Sequence, residues 1–176
     1  MKRLFIVLFI VVVIIGKVEA SDYALPYPSY MPGHKLYNVS YFLDFLKQYW
    51  HWGTLASITY RMSLADKNLV EAKTLFEYKQ YLLAINALQR SNSNIGFLIP
   101  LIVKARGEGK DIRQMVMQIT SEMDRHVAIL DSVARSVPDT FLWQPEKLPA
   151  TKLDLSKDII EAIAIRDQVK NFLPSN

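Results

Sequence analysis

Apolar side chains recur at steps of three and four residues through most of the chain, the period of helices packed on one face. The first stripe is Leu36, Val39, Leu43, Leu46 and Trp50, opening near His34 or Lys35. Tyr37, Tyr41, Phe42, Phe45 and Tyr49 widen it on both flanks, so this helix needs cover on more than one side. Trp52-Gly53 ends it, because glycine takes the left-handed C′ conformation without penalty. Thr54 is then placed to cap a second helix. Its stripe is Leu55, Ile58, Met62, Ala65, Leu69, Ala72 and Phe76, and the intervening Arg61, Asp66, Lys67, Glu71 and Lys73 read as a solvated face.

A third helix is expected from about Tyr81 towards Ala105, buried along Ile85, Leu88, Ile95, Ile99 and Ile102, with Asn92 on the same side and able to bond across the interface. Pro100 falls inside that pattern and clashes with the carbonyl of residue 96. Gly96 stands there, so a kink between Gly96 and Pro100 is expected, and Gly107-Glu108-Gly109 closes the helix. Asp111 caps a fourth helix with Ile112, Val116, Ile119, Met123, His126, Leu130, Ala134 and Val137 on its stripe, and Pro138 stops it. Residues 138–154 read as a proline-punctuated linker pinned by Phe141, Leu142 and Trp143. A fifth helix, capped by Asp154 or Ser156, buries Ile159, Ala162, Ile163, Val169 and Phe172. Leu69, Leu88, Ile119 and Leu130 are expected to share one interior. The reading is an all-α bundle of about five helices over residues 34–176.

Two segments break the helical period. Lys2 and Arg3 precede the uninterrupted apolar run Leu4 to Gly16, and Val18-Glu19-Ala20 offers small residues where a signal peptidase cuts. That is the layout of a secretory signal over residues 1–20. The run of 13 residues is short of the roughly 20 a spanning helix needs. An uncleaved N-terminal anchor is the alternative, in which residues 4–16 supply the membrane contact. Both place the remainder outside the cytoplasm. Without cysteine, lipid attachment after the apolar run is excluded. Residues 21–33, SDYALPYPSYMPG, carry three prolines that forbid a helix. They form an extended arm whose Tyr23, Tyr27 and Tyr30 either cover apolar surface on the bundle or serve as a recognition peptide or a peptidoglycan or glycan contact.

Charge changes the picture little. The chain of 176 residues has a formal net charge of +4. Lys2, Arg3, Lys17 and Glu19 belong to the signal segment, which leaves residues 21–176 near +2. No basic run with interleaved aromatics suggests nucleic-acid binding. The absence of cysteine excludes disulfides and thiolate metal sites.

Phe76 to Ser91, FEYKQYLLAINALQRS, resembles the inter-helix turn and second helix of a tetratricopeptide unit, with Tyr81, Ala84, Leu88 and Ser91 at its aromatic, small, large and small positions. Ala72 fits the small position of the first helix, while Glu71 stands where an apolar residue belongs. No second copy follows about 34 residues on, so the likeness implies a tight helical hairpin and no repeat groove. A broader likeness rests on Leu25-Pro26-Tyr27-Pro28, on Pro32-Gly33-His34-Lys35-Leu36-Tyr37, on Ala65-Asp66-Lys67 with Leu69 and Glu71-Ala72, on Tyr81 to Ala84, and on His126, Leu130 and Val133 ahead of Val137-Pro138. In that order, behind a signal segment, they resemble a family of exported bacterial helical domains with no assigned activity. The likeness covers nearly all of residues 21–176 and lends no catalytic residue. Gly96 to Pro100 departs from it by interrupting a helix.

Candidate chemistry is sparse. His126 lies one turn after Glu122, but a metal site needs two or three further ligands, and the Glu-x-x-His spacing of di-iron bundles is absent. His126 on an apolar stripe reads as a hydrogen-bonded core histidine. There is no nucleophile elbow and no phosphate loop. Asn38-Val39-Ser40 matches a glycosylation sequon within the first helix. Met115, Met117 and Met123 read as core. The sequence therefore points to a non-enzymatic interaction or scaffold module at the cell envelope, without cofactor or metal, binding a protein or a cell-wall polymer. Tyr23, Tyr27, Tyr30, Tyr49 and Trp52 are its candidate surface. The alternative is a hydrolase or metal-handling protein with a site built from Glu71, Glu122 and His126.

Overall fold

The computed structural model describes residues 53–146 and 149–174. The signal segment, the arm and the expected first helix lie outside them. The described chain is mostly helical: α1 (Thr54–Glu77), α2 (Tyr81–Gly96), α3 (Leu98–Gly107), α4 (Arg113–Ala134), β1 (Thr140–Trp143), β2 (Thr151–Asp154) and α5 (Leu155–Phe172). The helix expected from Tyr81 onward is broken at Phe97 into α2 and α3, between Gly96 and Pro100 as the proline requires.

α1 and α2 form an antiparallel hairpin, with Ser91 Oγ donating to the Ala65 carbonyl at 2.9 Å and Arg61 Nη1 donating to Asn94 Oδ1 at 3.1 Å. Tyr81, Ala84, Leu88 and Ser91, the positions of the tetratricopeptide likeness, are all buried. The hairpin turns without glycine. The amide of Gln80 donates to the Leu75 carbonyl and that of Lys79 to Phe76, the paired bonds of a Schellman end, with Lys79 held at φ 59°. The end of α3 repeats the motif: Lys110 donates to Ala105 and Gly109, at φ 69°, to Arg106.

Caps differ in part from the sequence reading. Gly53 at φ 105° precedes α1, and Thr54 does not cap it. The Thr54 hydroxyl donates instead to the Glu108 carboxylate, at 2.9 and 2.7 Å from its two oxygens, tying the start of α1 to the end of α3. Asp154 caps α5 as expected, its Oδ1 accepting from the Lys157 amide at 3.1 Å, whereas the N-cap of α4 is Ile112, and Asp111, one residue further out, accepts from the Arg113 amide at 3.1 Å.

Residues 138–154, expected as a linker, contain a two-stranded antiparallel sheet, with Phe141 opposite Leu153 and Leu142 opposite Lys152. The side chains alternate. Phe141 and Trp143 pack on the core, whereas Leu142 is 62% exposed and pins nothing. Phe141 meets Tyr81 edge-on, with ring centroids 4.8 Å apart.

Among the described residues, the apolar interior has two parts. Leu69, Leu75, Leu88, Leu130, Leu155 and Ile159 form one, capped by the sheet. Ile58, Ile95, Ile102, Ile119, Met123 and Val169 form the other. Leu69, Leu88 and Leu130 do share an interior, but Ile119 belongs to the second. Met123 is buried, while Met117 is 54% exposed and is no core residue.

Candidate functional site

The interfaces among α1, α2, α4 and α5 hold the chemically capable side chains. Asp66 on α1 is 1% exposed, His126 on α4 is 1% exposed, and Arg166 on α5 is fully buried. The sequence reading of Asp66 as solvated is therefore wrong. Asp66 lies four residues after Met62 and three before Leu69, so the stripe of α1 carries it inward. Arg166 is carried inward in the same way, four residues after Ala162 and three before Val169.

His126 Nε2 donates to Asp66 Oδ1 at 2.7 Å. The carboxylate can only accept, which fixes the Nε2–H tautomer and leaves Nδ1 as an acceptor. The histidine thus bonds in the core as expected. Arg166 Nη1 donates to Asn92 Oδ1 and to the Ala162 carbonyl, both at 2.7 Å, and Nη2 donates to Ser91 Oγ at 2.9 Å. Asn92 bridges α2 to α5, the cross-interface bond foreseen for it.

Charge in this interior is balanced at a distance. Burial pulls the Arg166 guanidinium down to about 10, against the pull of Asp66, so it stays charged at neutral pH. Burial lowers the His126 pKa below its ordinary value, the field of Arg166 adds to that, and Asp66 opposes it. Burial raises the Glu122 carboxyl, with Asp66 adding to the rise while a hydrogen bond from Gln118 Nε2 at 2.8 Å opposes it. Among the described residues, Glu122 Oε2, His126 Nδ1 and Arg166 Nε have no hydrogen-bond partner.

The three residues of the alternative site are not all brought together. Glu122 and His126 lie on one face of α4, and His126 faces Asp66. Glu71 is buried beside Arg90 instead, with Oε1 2.7 Å from Nη2. That ion pair explains how a carboxylate occupies the apolar position of the tetratricopeptide pattern. Among the described residues, no group of three or more His, Cys, Asp or Glu side chains could hold a metal ion.

A cleft of about 450 Å³ opens between α4 and α5, lined by Val116, Met117, Thr120, Ser121 and Leu173, with Lys170 and Asp124 paired at its wall. None of Asp66, Glu71, Glu122, His126 and Arg166 lines it. Tyr23, Tyr27, Tyr30, Tyr49 and Trp52, the expected interaction surface, lie outside the described residues. No described helix is long and apolar enough to cross a membrane. Comparison of the chain with protein-family models, with curated proteins and with solved structures returns no match in any of the three.

Proposed function

We propose that the chain is an exported, non-enzymatic interaction or scaffold module of a bacterial cell envelope, presenting a helical surface and an aromatic N-terminal arm to a protein or cell-wall polymer. One observation carries the non-enzymatic part. Asp66, Glu71, Glu122, His126 and Arg166 are buried between helices, and none lines the cleft between α4 and α5. A general acid or base must come within hydrogen-bond reach of the atom it serves. Asp66, Glu71, His126 and Arg166 instead bond to groups on neighbouring helices, and Glu122 accepts from Gln118 on its own helix. The exported address is supported by the charged start, apolar run and small residues of positions 2–20. The arm's role is supported by its alternating prolines and tyrosines.

Protease treatment of intact spheroplasts and photo-crosslinking test the two halves. With a C-terminal tag, residues 21–176 are expected to be digested from outside. A photoreactive phenylalanine at Tyr27 or Tyr49 is expected to give a discrete adduct in the envelope fraction. Full protection from protease would refute the address. An absence of adducts at all five aromatic positions would refute the surface.

A further inference from the structure

We propose that the Asp66–His126 pair is an acid-sensitive lock: a proton added to His126 puts a second positive charge into the interior that already holds the buried Arg166 guanidinium and releases α4 from α1. The lock is a property of the fold, and its use as a sensor of external pH rests on the exported address proposed above.

The geometry supplies the lock. α4 packs against α1 and α5. Among the described residues, α1 presents Asp66 to His126, and the field of Arg166 on α5 opposes a positive charge on the imidazole. On α4 itself, Glu122 lies one turn before the imidazole and Arg125 directly precedes it. With His126 neutral, the imidazole needs only its hydrogen bond to Asp66. With His126 charged, a second cation joins the Arg166 guanidinium in an interior sealed from solvent. Charges buried without a full complement of partners cost several kcal/mol each.

The pH range follows from the directions of the shifts. Burial and Arg166 hold the native imidazole below the ordinary value of 6.5, so the unfolded chain takes this proton more readily. The stability that His126 contributes is complete above pH 6.5. It is lost as pH falls from there through the native histidine's lower value. Glu122 works in the opposite sense. Its native carboxyl titrates above the ordinary 4.5, so its contribution is present below pH 4.5 and lost as pH rises through the native value. The two act in opposite directions, and a variant that silences one isolates the other.

Glu122→Gln supplies that background, since an amide keeps the bond to Gln118 and does not titrate. The melting temperature of this variant is expected to fall by about 3 °C or more between pH 7.5 and pH 5. Adding His126→Gln, which retains a donor towards Asp66, is expected to remove most of that fall. Parallel curves for the two proteins would overturn the lock. If the double variant does not fold, proton NMR of the native chain decides, with the His126 ring told from His34 and His51 by substituting those two. A His126 midpoint below 6.5, accompanied by faster amide exchange in α4 than in α2 at pH 5 after correction for intrinsic rates, supports the proposal. A midpoint at or above 6.5, or equal exchange in the two helices, refutes it.

Discussion

His126 on α4 and Asp66 on α1 meet at 2.7 Å, with both side chains sealed from solvent. They stand 60 positions apart in sequence. Their bond joins α1 and α4 within an interface otherwise filled by apolar side chains. A hydrogen bond to a charged group contributes about 1.5–3 kcal/mol net, and stranding either partner costs its desolvation. Such a pair therefore selects one register over its neighbours.

Arg166 should be the most sensitive polar position of the cluster. Its removal takes the guanidinium donor from Asn92 Oδ1 and Ser91 Oγ and a favourable charge from the field at Asp66. Arg166→Ala is expected to destabilise the protein by about 3–5 kcal/mol, the range for breaking a buried ionic arrangement. Urea unfolding measures this, and a loss under about 1 kcal/mol would show that the guanidinium ties nothing together.

The two Schellman ends give a matched pair of opposite sign. Lys79 holds φ 59° with a side chain attached, whereas Gly109 holds φ 69° with none. Left-handed backbone costs an ordinary L-residue roughly 1–2 kcal/mol. Lys79→Gly is therefore expected to raise stability by up to about 1 kcal/mol. Gly109→Ala is expected to lower it by about 1 kcal/mol, although no atom lies within 4 Å of the new methyl. Equal signs in thermal unfolding would contradict the assigned turns.

The division of the apolar interior is also measurable. Leu88 belongs to one part and Ile119 to the other. Leu88→Ala and Ile119→Ala should each cost about 2–5 kcal/mol. Combined, they should add to within about 0.5 kcal/mol, as independent sites do. Leu88→Ala with Leu130→Ala, both in the first part, should deviate from additivity. The reverse pattern would mean a single continuous core.

Periodicity made α1, α4 and α5 legible, because three- and four-residue steps of Leu, Ile, Val and Ala leave few alternatives. The break at Phe97 followed from Pro100 and Gly96. Charged residues on those same stripes were the harder part. Asp66, Glu122 and Arg166 each occupy a stripe position, but composition reads a charge as solvated unless its partner is known. The partners of Asp66 and Arg166 come from other helices, up to 75 positions away in the case of Arg166 and Ser91. The hairpin of Thr140–Trp143 and Thr151–Asp154 escaped for a different reason. Four-residue strands are too short to show alternation, and Pro145 and Pro149 in their connection disguise it as a linker.

The claim that these buried ionisable groups serve the fold is tested most directly by a double-mutant cycle on Asp66 and His126. The stabilities of the native chain, Asp66→Asn, His126→Phe and the double variant would be compared by urea unfolding at pH 7.5. Two side chains sharing one buried hydrogen bond should give a coupling energy of about 1 kcal/mol or more. Additive losses, with a coupling within about 0.3 kcal/mol of zero, would contradict the account.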